Sequence, residues 1–301
     1  MKLTNKFDLP QPLVDAIAND GYSAPRDAKA ISITTLFKPP RIVALERQHR
    51  DNLEVDAIDN IWSLLGQAVH TILERANKSD IVEKRFGVDF NGWYVNGQLD
   101  SYTMHDGLLR DWKTTSAWSV MHASKDADWT NQLNAYAWLL RRHGYEAKAL
   151  QIVAILRDWS KREAARNLEY PQKQVAVIDL PLLPDEVIES IIADRLALHD
   201  QAAVEIPDCT PADRWMKPPN FAVMKPGGKR AIKMFEGKAE AEAWIAANQK
   251  PKEKLFVENR PSEAVRCLHY CPVGAAGLCA QWNADPASQP LAEIFLPEEL
   301  K

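Results

Sequence analysis

The sequence predicts a mixed α/β fold: a central mixed sheet flanked by helices, followed by a small C-terminal ββαβ appendage. Three observations carry that prediction. A long amphipathic pattern precedes residue 78. Three strand-like runs follow it, joined by Asn91-Gly92 and Asp106-Gly107. A second helical pattern then leads into a continuous apolar run, Ala149 to Leu156, of the kind a buried strand shows.

Each element follows from local chemistry. Residues 1 to 30 are polar without clear period and read as an irregular arm. Ser32 to Phe37 is a short segment that Pro39 and Pro40 end. From about Val55 to Asn77, apolar residues Val55, Ile58, Trp62, Leu65, Val69, Ile72 and Leu73 recur at helical spacing. Gly66, His70 and Glu74 fall four apart on one flank, and Gly66 leaves room for another backbone or a substrate to approach His70. Strands are expected at about 81 to 90, 93 to 103 and 107 to 115, because Asn-Gly and Asp-Gly are hairpin turn signals. A helix from about Asp128 to His143 turns Trp129, Leu133, Tyr136 and Leu140 inward and ends at Gly144. Strands at Ala149–Leu156 and Val175–Leu182 follow, and Pro184-Asp185-Glu186 opens a helix to about Ala203. In the appendage, strands at Phe221–Met224 and Arg230–Phe235 surround Pro226-Gly227-Gly228. A helix at about Lys238 to Asn248 and a strand at Leu255 to Glu258 complete it. The expected organisation is an arm (1–30), a core (31–206), a cysteine-bracketed appendage (207–285) and a tail (286–301).

Composition narrows the class. Of 301 residues, 46% are hydrophobic and 26% charged, which fits a globular chain. The longest apolar runs are interrupted, as Ala147 to Leu156 is by Lys148 and Gln151, and are too short to span a bilayer. The first residues have no apolar core of the signal-peptide kind, so a cytoplasmic location and no membrane partner are expected. The net charge of -4 is not that of a protein coated in basic charge. Two local basic patches remain: Arg157, Lys161, Arg162 and Arg166, and Lys217, Lys225, Lys229, Arg230 and Lys233. Either is a nucleic-acid contact or a solvated face.

The chemistry concentrates in Gly97-Gln98-Leu99-Asp100 and Leu108-Leu109-Arg110-Asp111-Trp112-Lys113. Side chains two apart on a strand share a face, so Asp111 and Lys113 point the same way. The hairpin brings Asp100 back beside them. Two carboxylates with an ammonium can hold a hard divalent cation while the lysine meets a phosphate or a water. Standing alone, an Asp-x-Lys pair on a strand is a solvated face.

Further pieces stand in order around this one. Gly66-Gln67-Ala68-Val69-His70 precedes it on the helix, Glu83 lies in Val82-Glu83-Lys84-Arg85, and Gln132-x-x-x-Tyr136 follows. With these motifs the chain resembles the RecB-like branch of the PD-(D/E)XK nuclease superfamily over about residues 32 to 160. From Ile155-Leu156-Arg157-Asp158-Trp159 to the C-terminal cysteines it looks like phage-type members. The resemblance implies a restriction-endonuclease-like core and a Mg²⁺- or Mn²⁺-dependent deoxyribonuclease, an exonuclease on single- or double-stranded DNA ends in recombination, repair or phage DNA processing. It implies that His70, Asp100, Asp111 and the carbonyl of Trp112 hold the metal, with Lys113 at the attacking water or the scissile phosphate. Glu83, Gln132 and Tyr136 would line the site. A recombination protein is an implied partner. The alternative is a non-catalytic nucleic-acid-binding repair or recombination subunit with a vestigial nuclease fold, which should have lost Asp100, Asp111 or Lys113.

All four cysteines, Cys209, Cys267, Cys271 and Cys279, fall after residue 208. The last three have the spacing Cys-x3-Cys-x7-Cys. Their clustering suggests one metal centre, and four thiolates suit either zinc or an iron–sulfur cluster. The resemblance favours a [4Fe–4S] cluster, with structural Zn²⁺ as the alternative. His269 is a possible substitute ligand.

Overall fold

A computed structural model describes residues 2–19, 27–77, 81–123, 125–250 and 254–289. The chain divides into two compact units, residues 1–44 with 54–206, and residues 45–53 with 207–301.

The first unit opens with β1 (Lys2–Thr4) and α1 (Gln11–Ala18), so the expected irregular arm is structured on both sides of residue 8. Residues 20–26 of that arm, and 290–301 of the expected tail, lie outside the described residues. Next come β2 (Ala30–Ser32), α2 (Ile33–Leu36) and α3 (Pro40–Gln48). Ser32 ends the strand and starts the helix, because its hydroxyl accepts from the Thr35 amide. Pro40 opens α3 rather than ending a segment, as a residue with no amide hydrogen suits a first helical turn.

β3 (Glu54–Asp56) pairs in parallel with β1. α4 (Ile61–Ala76) therefore begins later than the apolar periodicity suggests. Asp56 causes the delay: its carboxylate accepts from Ile58 N, Thr4 Oγ1 and Lys6 N, which ties residue 56 into strand geometry. No side chain of α4 is fully buried, and Trp62, Leu65 and Ile72 are exposed. The helix covers the sheet with one narrow edge.

β4 (Ile81–Phe90), β5 (Trp93–Thr103) and β6 (Leu108–Thr115) follow. Asn91 and Gly92 join the first two with φ of 48° and 76°, the left-handed pair that a two-residue hairpin turn needs. α5 (Ala117–Met121) and α6 (Asp126–Arg142) lead to β7 (Ala149–Leu156), the short α7 (Lys161–Ala164), β8 (Val175–Leu180) and α8 (Asp185–Val204).

The sheet order is β2-β5-β6-β7-β8, with β4 on the other edge of β5. β2 with β5 and β6 with β7 are parallel, and the remaining pairs are antiparallel. β5 is the organising strand. β4 pairs along its length, so β2 and β6 must share its opposite edge. β2 takes residues 94–96 and β6 takes 101–103. Residues 97–100 lie in the fork between them.

The core packs α6 and α8 on the sheet through Trp138, Leu139, Leu140, Ile188, Ile192, Leu150 and Ile152, all fully enclosed. Each such aliphatic side chain contributes about 1.5–3 kcal/mol by leaving water. Buried Asn134 fastens the turn into α8, accepting from Leu183 N at 2.7 Å and donating to Pro181 O at 2.9 Å.

In the second unit, β9 (Met216–Lys217) precedes a three-stranded antiparallel sheet of β10 (Asn220–Met224), β11 (Lys233–Phe235) and β12 (Phe256–Arg260), ordered β11-β10-β12. With α9 (Lys238–Asn248) between its last strands, this is the expected ββαβ unit. β13 (Glu263–Ala264) pairs with β9, and the short helices α10 (Val265–His269), α11 (Pro272–Ala275) and α12 (Ala280–Ala284) carry the cysteine-rich segment. Among the described residues, no helix is long and apolar enough to cross a membrane.

Candidate active site

The fork in the sheet is where the side chains singled out by the sequence meet from both faces. Thr114 of β6 points to α4: a Cβ placed on Gly66 would stand 3.4 Å from Thr114 Oγ1. Its neighbour Lys113 points the other way, to Gln132 of α6 at 3.3 Å. Because the sheet is open between β2 and β6, groups on α4 and α6 reach the same strand ends.

On the α4 side, His70 Nδ1 lies 3.0 Å from Glu83 Oε1 and 3.6 Å from Asp100 Oδ1, and Nε2 lies 3.2 Å from the Trp112 carbonyl. Glu83 Oε2 accepts from Gln98 Nε2 at 2.7 Å. Asp100 Oδ2 accepts from Trp112 N at 2.8 Å, bridging the fork from β5 to β6. His70, Glu83 and Asp100 can each offer a ligand atom, all within 4.8 Å of one another. Glu83 adopts φ of 47° in mid-strand, a left-handed conformation that costs a non-glycine residue about 1–2 kcal/mol. Locally strained backbone of this kind clusters at functional sites.

On the α6 side, Asp111 Oδ2 lies 2.6 Å from Lys113 Nζ. This oxygen is cut off from solvent, and the ammonium is its close partner. Lys113 Nζ donates to Gln132 Oε1 at 3.3 Å, and Gln132 Nε2 donates to Tyr136 Oη at 3.3 Å. Tyr136 is seated by Gly97. A Cβ there would fall 2.4 Å from Tyr136 Cε1, so only glycine lets this ring close on the fork.

Electrostatics follow from the crowding. Burial, and then the charge of Asp111, push the Asp100 carboxyl up to about 7 against the opposing pull of His70, Lys113 and the Trp112 amide. The hydrogen bond to Glu83 raises the His70 imidazole above its ordinary value, with burial opposing and the charges of Asp100, Glu83 and Asp111 assisting. Burial acts to raise Glu83, but the hydrogen bonds from His70 and Gln98 outweigh it and hold this carboxyl below the usual range. Burial raises the Tyr136 hydroxyl.

The fork thus gathers His70, Glu83, Asp100, Asp111, Trp112, Lys113, Gln132 and Tyr136 from five elements. The close-set ligand atoms include Glu83 rather than Asp111, whose Oδ2 is paired with Lys113. Sequence reasoning gave no role to Gln98 or Gly97. Their signal was position alone: both stand in the run that ends at Asp100.

All four cysteines lie in the second unit as free thiols. Burial, then Asp213 and the other three cysteines, push the Cys209 thiol up to about 12, and burial raises Cys271. Gln281 clamps Cys209 by accepting from its amide at 2.8 Å and donating to its carbonyl at 3.0 Å, while Trp282 Nε1 donates to Cys267 O at 3.1 Å. His269 is exposed and faces Glu263 at 3.6 Å.

A histidine, three carboxylates and a lysine thus stand together at the open end of a forked mixed sheet. The chain belongs to the PD-(D/E)XK nuclease superfamily, whose family model matches residues 43–276. Among solved structures, the chain is similar to the protein called SSO0001, with 18% identity, a TM-score of 0.45, and coverage of 68% of this chain and 89% of that one. It is also similar to a phage-related exonuclease from Haemophilus somnus 129PT, with 15% identity, a TM-score of 0.29, and coverage of 65% and 83%. No curated protein matches the chain.

Proposed function

We propose that the protein is a metal-dependent deoxyribonuclease acting on DNA ends, with its reaction centre at the fork. The observation that carries this reading is the set of ligand atoms of His70, Glu83 and Asp100, all within 4.8 Å of one another, with the Asp111–Lys113 ion pair beside them. Close-set carboxylate oxygens with an imidazole nitrogen fit a divalent cation.

His70, Asp100 and Asp111 would hold Mg²⁺ or Mn²⁺, with the Trp112 carbonyl as a further ligand and Glu83 orienting His70 or joining the set. When bound, the ion lowers the pKa of an attacking water and offsets charge building on the scissile phosphate. The chain's own groups do the rest. Lys113, steered by Asp111 and Gln132, donates to a phosphate oxygen or positions the water. Tyr136 holds Gln132 and so fixes the lysine's direction. Water oxygen forms the new bond to phosphorus as the bond to the leaving 3′- or 5′-oxygen breaks, and that oxygen takes up a proton. Roles in recombination, repair or phage DNA processing, and a recombination protein as partner, go with this reading.

The four cysteines would hold a structural [4Fe–4S] cluster, with Zn²⁺ as the alternative. Their convergence in one unit and the tethering of Cys209 and Cys267 by Gln281 and Trp282 support a shared centre.

The test is incubation with end-labelled single- and double-stranded DNA, with Mg²⁺, Mn²⁺ or EDTA in parallel. The parent protein should shorten labelled DNA only with metal. Asp111→Ala and Lys113→Ala should each lower the rate by about 10²–10³ or more at an unchanged melting profile. An Asp111→Ala protein that cuts at the parent rate would end this assignment.

A further inference from the structure

The basic patch at residues 157–166 and the exposed aromatics near it take no part in the chemistry above. Trp62, Gly66 and His70 form one row on α4, four residues apart, and this row runs along β6. His70 meets the Trp112 carbonyl, and Gly66 meets Thr114. Trp62 therefore stands beyond the end of the strand that carries Asp111 and Lys113. Two helical turns, about 12 Å, separate it from His70.

At that place Arg157 joins it. Arg157 N donates to Thr115 O at 2.9 Å, which sets its backbone directly after β6. Its guanidinium lies 4.7 Å from the centre of the Trp62 ring. Trp62 nevertheless keeps 58% of its surface exposed. Three residues after β6 is a second open ring, Trp118 on α5, which is 59% exposed and stands 4.7 Å from His122. Lys161, Arg162 and Arg166 follow Arg157 on and after α7, all exposed. Among the described residues, none of these four cations is paired with a carboxylate. Open aromatic faces bordered by free cations are the chemistry of a platform for single-stranded nucleic acid, where bases stack and phosphates find charge.

Building on the nuclease reading above, we propose that Trp62 and Arg157 grip the single-stranded portion of a DNA end. Trp62 stacks a base and Arg157 meets an adjoining phosphate, with Lys161, Arg162 and Arg166 carrying the strand onward. The 12 Å or so between Trp62 and His70 then corresponds to a strand running from the platform into the fork. The protein would act on single-stranded or frayed ends in preference to blunt duplex.

The test is fluorescence anisotropy with labelled oligo(dT) and a labelled blunt duplex, in EDTA, using the full chain. Trp62→Ala should weaken oligo(dT) binding about five- to a hundredfold, with the duplex affected much less. Trp62→Phe should restore most of the loss, since a smaller ring still stacks. Arg157→Ala should also weaken binding and flatten its salt dependence by about one charge. An unchanged oligo(dT) affinity in Trp62→Ala, an equal loss on blunt duplex, or no binding by the parent protein would each overturn the proposal. Binding in EDTA needs no cleavage. DNA that is held through Trp62 and never cut would therefore defeat only the nuclease reading, and DNA that is cut with Trp62 irrelevant would defeat only this one.

Discussion

Glu83 Oε1 meets His70 Nδ1 at 3.0 Å across the gap between β4 and α4, from a backbone held at φ of 47°. The two residues are thirteen apart in sequence and belong to different elements. Their contact sets the charge on the imidazole and the direction of the ring, because a histidine's second nitrogen is oriented by what its first one bonds.

Replacing Glu83 by Gln should therefore lower the pKa of His70 in the metal-free protein, since its largest raising influence is this hydrogen bond. An NMR titration of the imidazole resonances reads it directly. The same variant should need about ten- to a hundredfold more Mn²⁺ for half-maximal cleavage, and His70→Ala should shift the metal dependence further than it shifts DNA binding. An unchanged Mn²⁺ titration in both would leave His70 a packing residue.

Stability of the metal-free protein should fall as pH rises from about 4 to 7. The sign follows from two groups. Asp100 has a folded-state pKa raised to about 7, so the folded protein keeps a proton that the unfolded chain loses near pH 4. Deprotonating it in the fold costs on the order of 4 kcal/mol, all of it present above pH 7. His70, also raised, contributes stability below its unfolded pKa that disappears as pH climbs through the folded one. Glu83, depressed, acts oppositely, but its contribution is lost only at acid pH below this window. Melting curves across the range should show the slope, and Asp100→Asn should remove most of it. A flat profile for the parent would mean that Asp100 is ionised throughout.

Gly97→Ala should destabilise the protein by about 1–3 kcal/mol, the usual cost of forcing an atom into a packed site, because its Cβ would fall 2.4 Å from Tyr136 Cε1. Displacing Tyr136 loosens Gln132 and through it Lys113, so cleavage should drop more than stability alone explains. Comparing rates well below the melting temperature separates the two effects. Full activity in Gly97→Ala would show that Tyr136 does not steer the lysine.

Serine at any one of Cys209, Cys267, Cys271 or Cys279 should lower the melting temperature and abolish the metal centre. If the cluster is [4Fe–4S], anaerobically purified protein is brown, with about four irons and four sulfides per chain. Cys209 and Cys267 bracket the ββαβ unit, and closing a loop of that length restricts the unfolded chain by about 4 kcal/mol, by analogy with a disulfide. Colourless protein with one zinc per chain would transfer the site to the alternative, and metal-free protein would leave four thiols without a role.

Most of the fold could be read locally. The three strands of 81–115, the helix carrying Gln132 and Tyr136, the strand Ala149–Leu156 and the ββαβ unit are set by periodicity and turn chemistry, which act over a few residues. The pairing of Asp111 with Lys113 is legible for the same reason: a strand puts alternate side chains on one face. Two errors came from the same source. Residues 55–60 continue the helical apolar pattern but form the end of a strand and a 3-10 helix (Ala57–Asn60), because β1 pairs with β3 and Asp56 ties them together. Residues 2–4 carry no strand signal of their own and are extended because of that pairing.

The class of fold, the strand that carries Asp111 and Lys113, and the clustering of four cysteines beyond residue 208 are legible in the chain itself. That β2 and β6 share one edge of β5 and leave a fork there emerges only on folding. That fork lets His70 from one face and Gln132 from the other converge, sets Glu83 in a strained conformation against His70, and requires glycine at 97. The physical reason is range. Hydrogen-bonding period and turn geometry are properties of neighbouring residues, whereas a site built from five elements exists only once non-local strand pairing has brought their ends together.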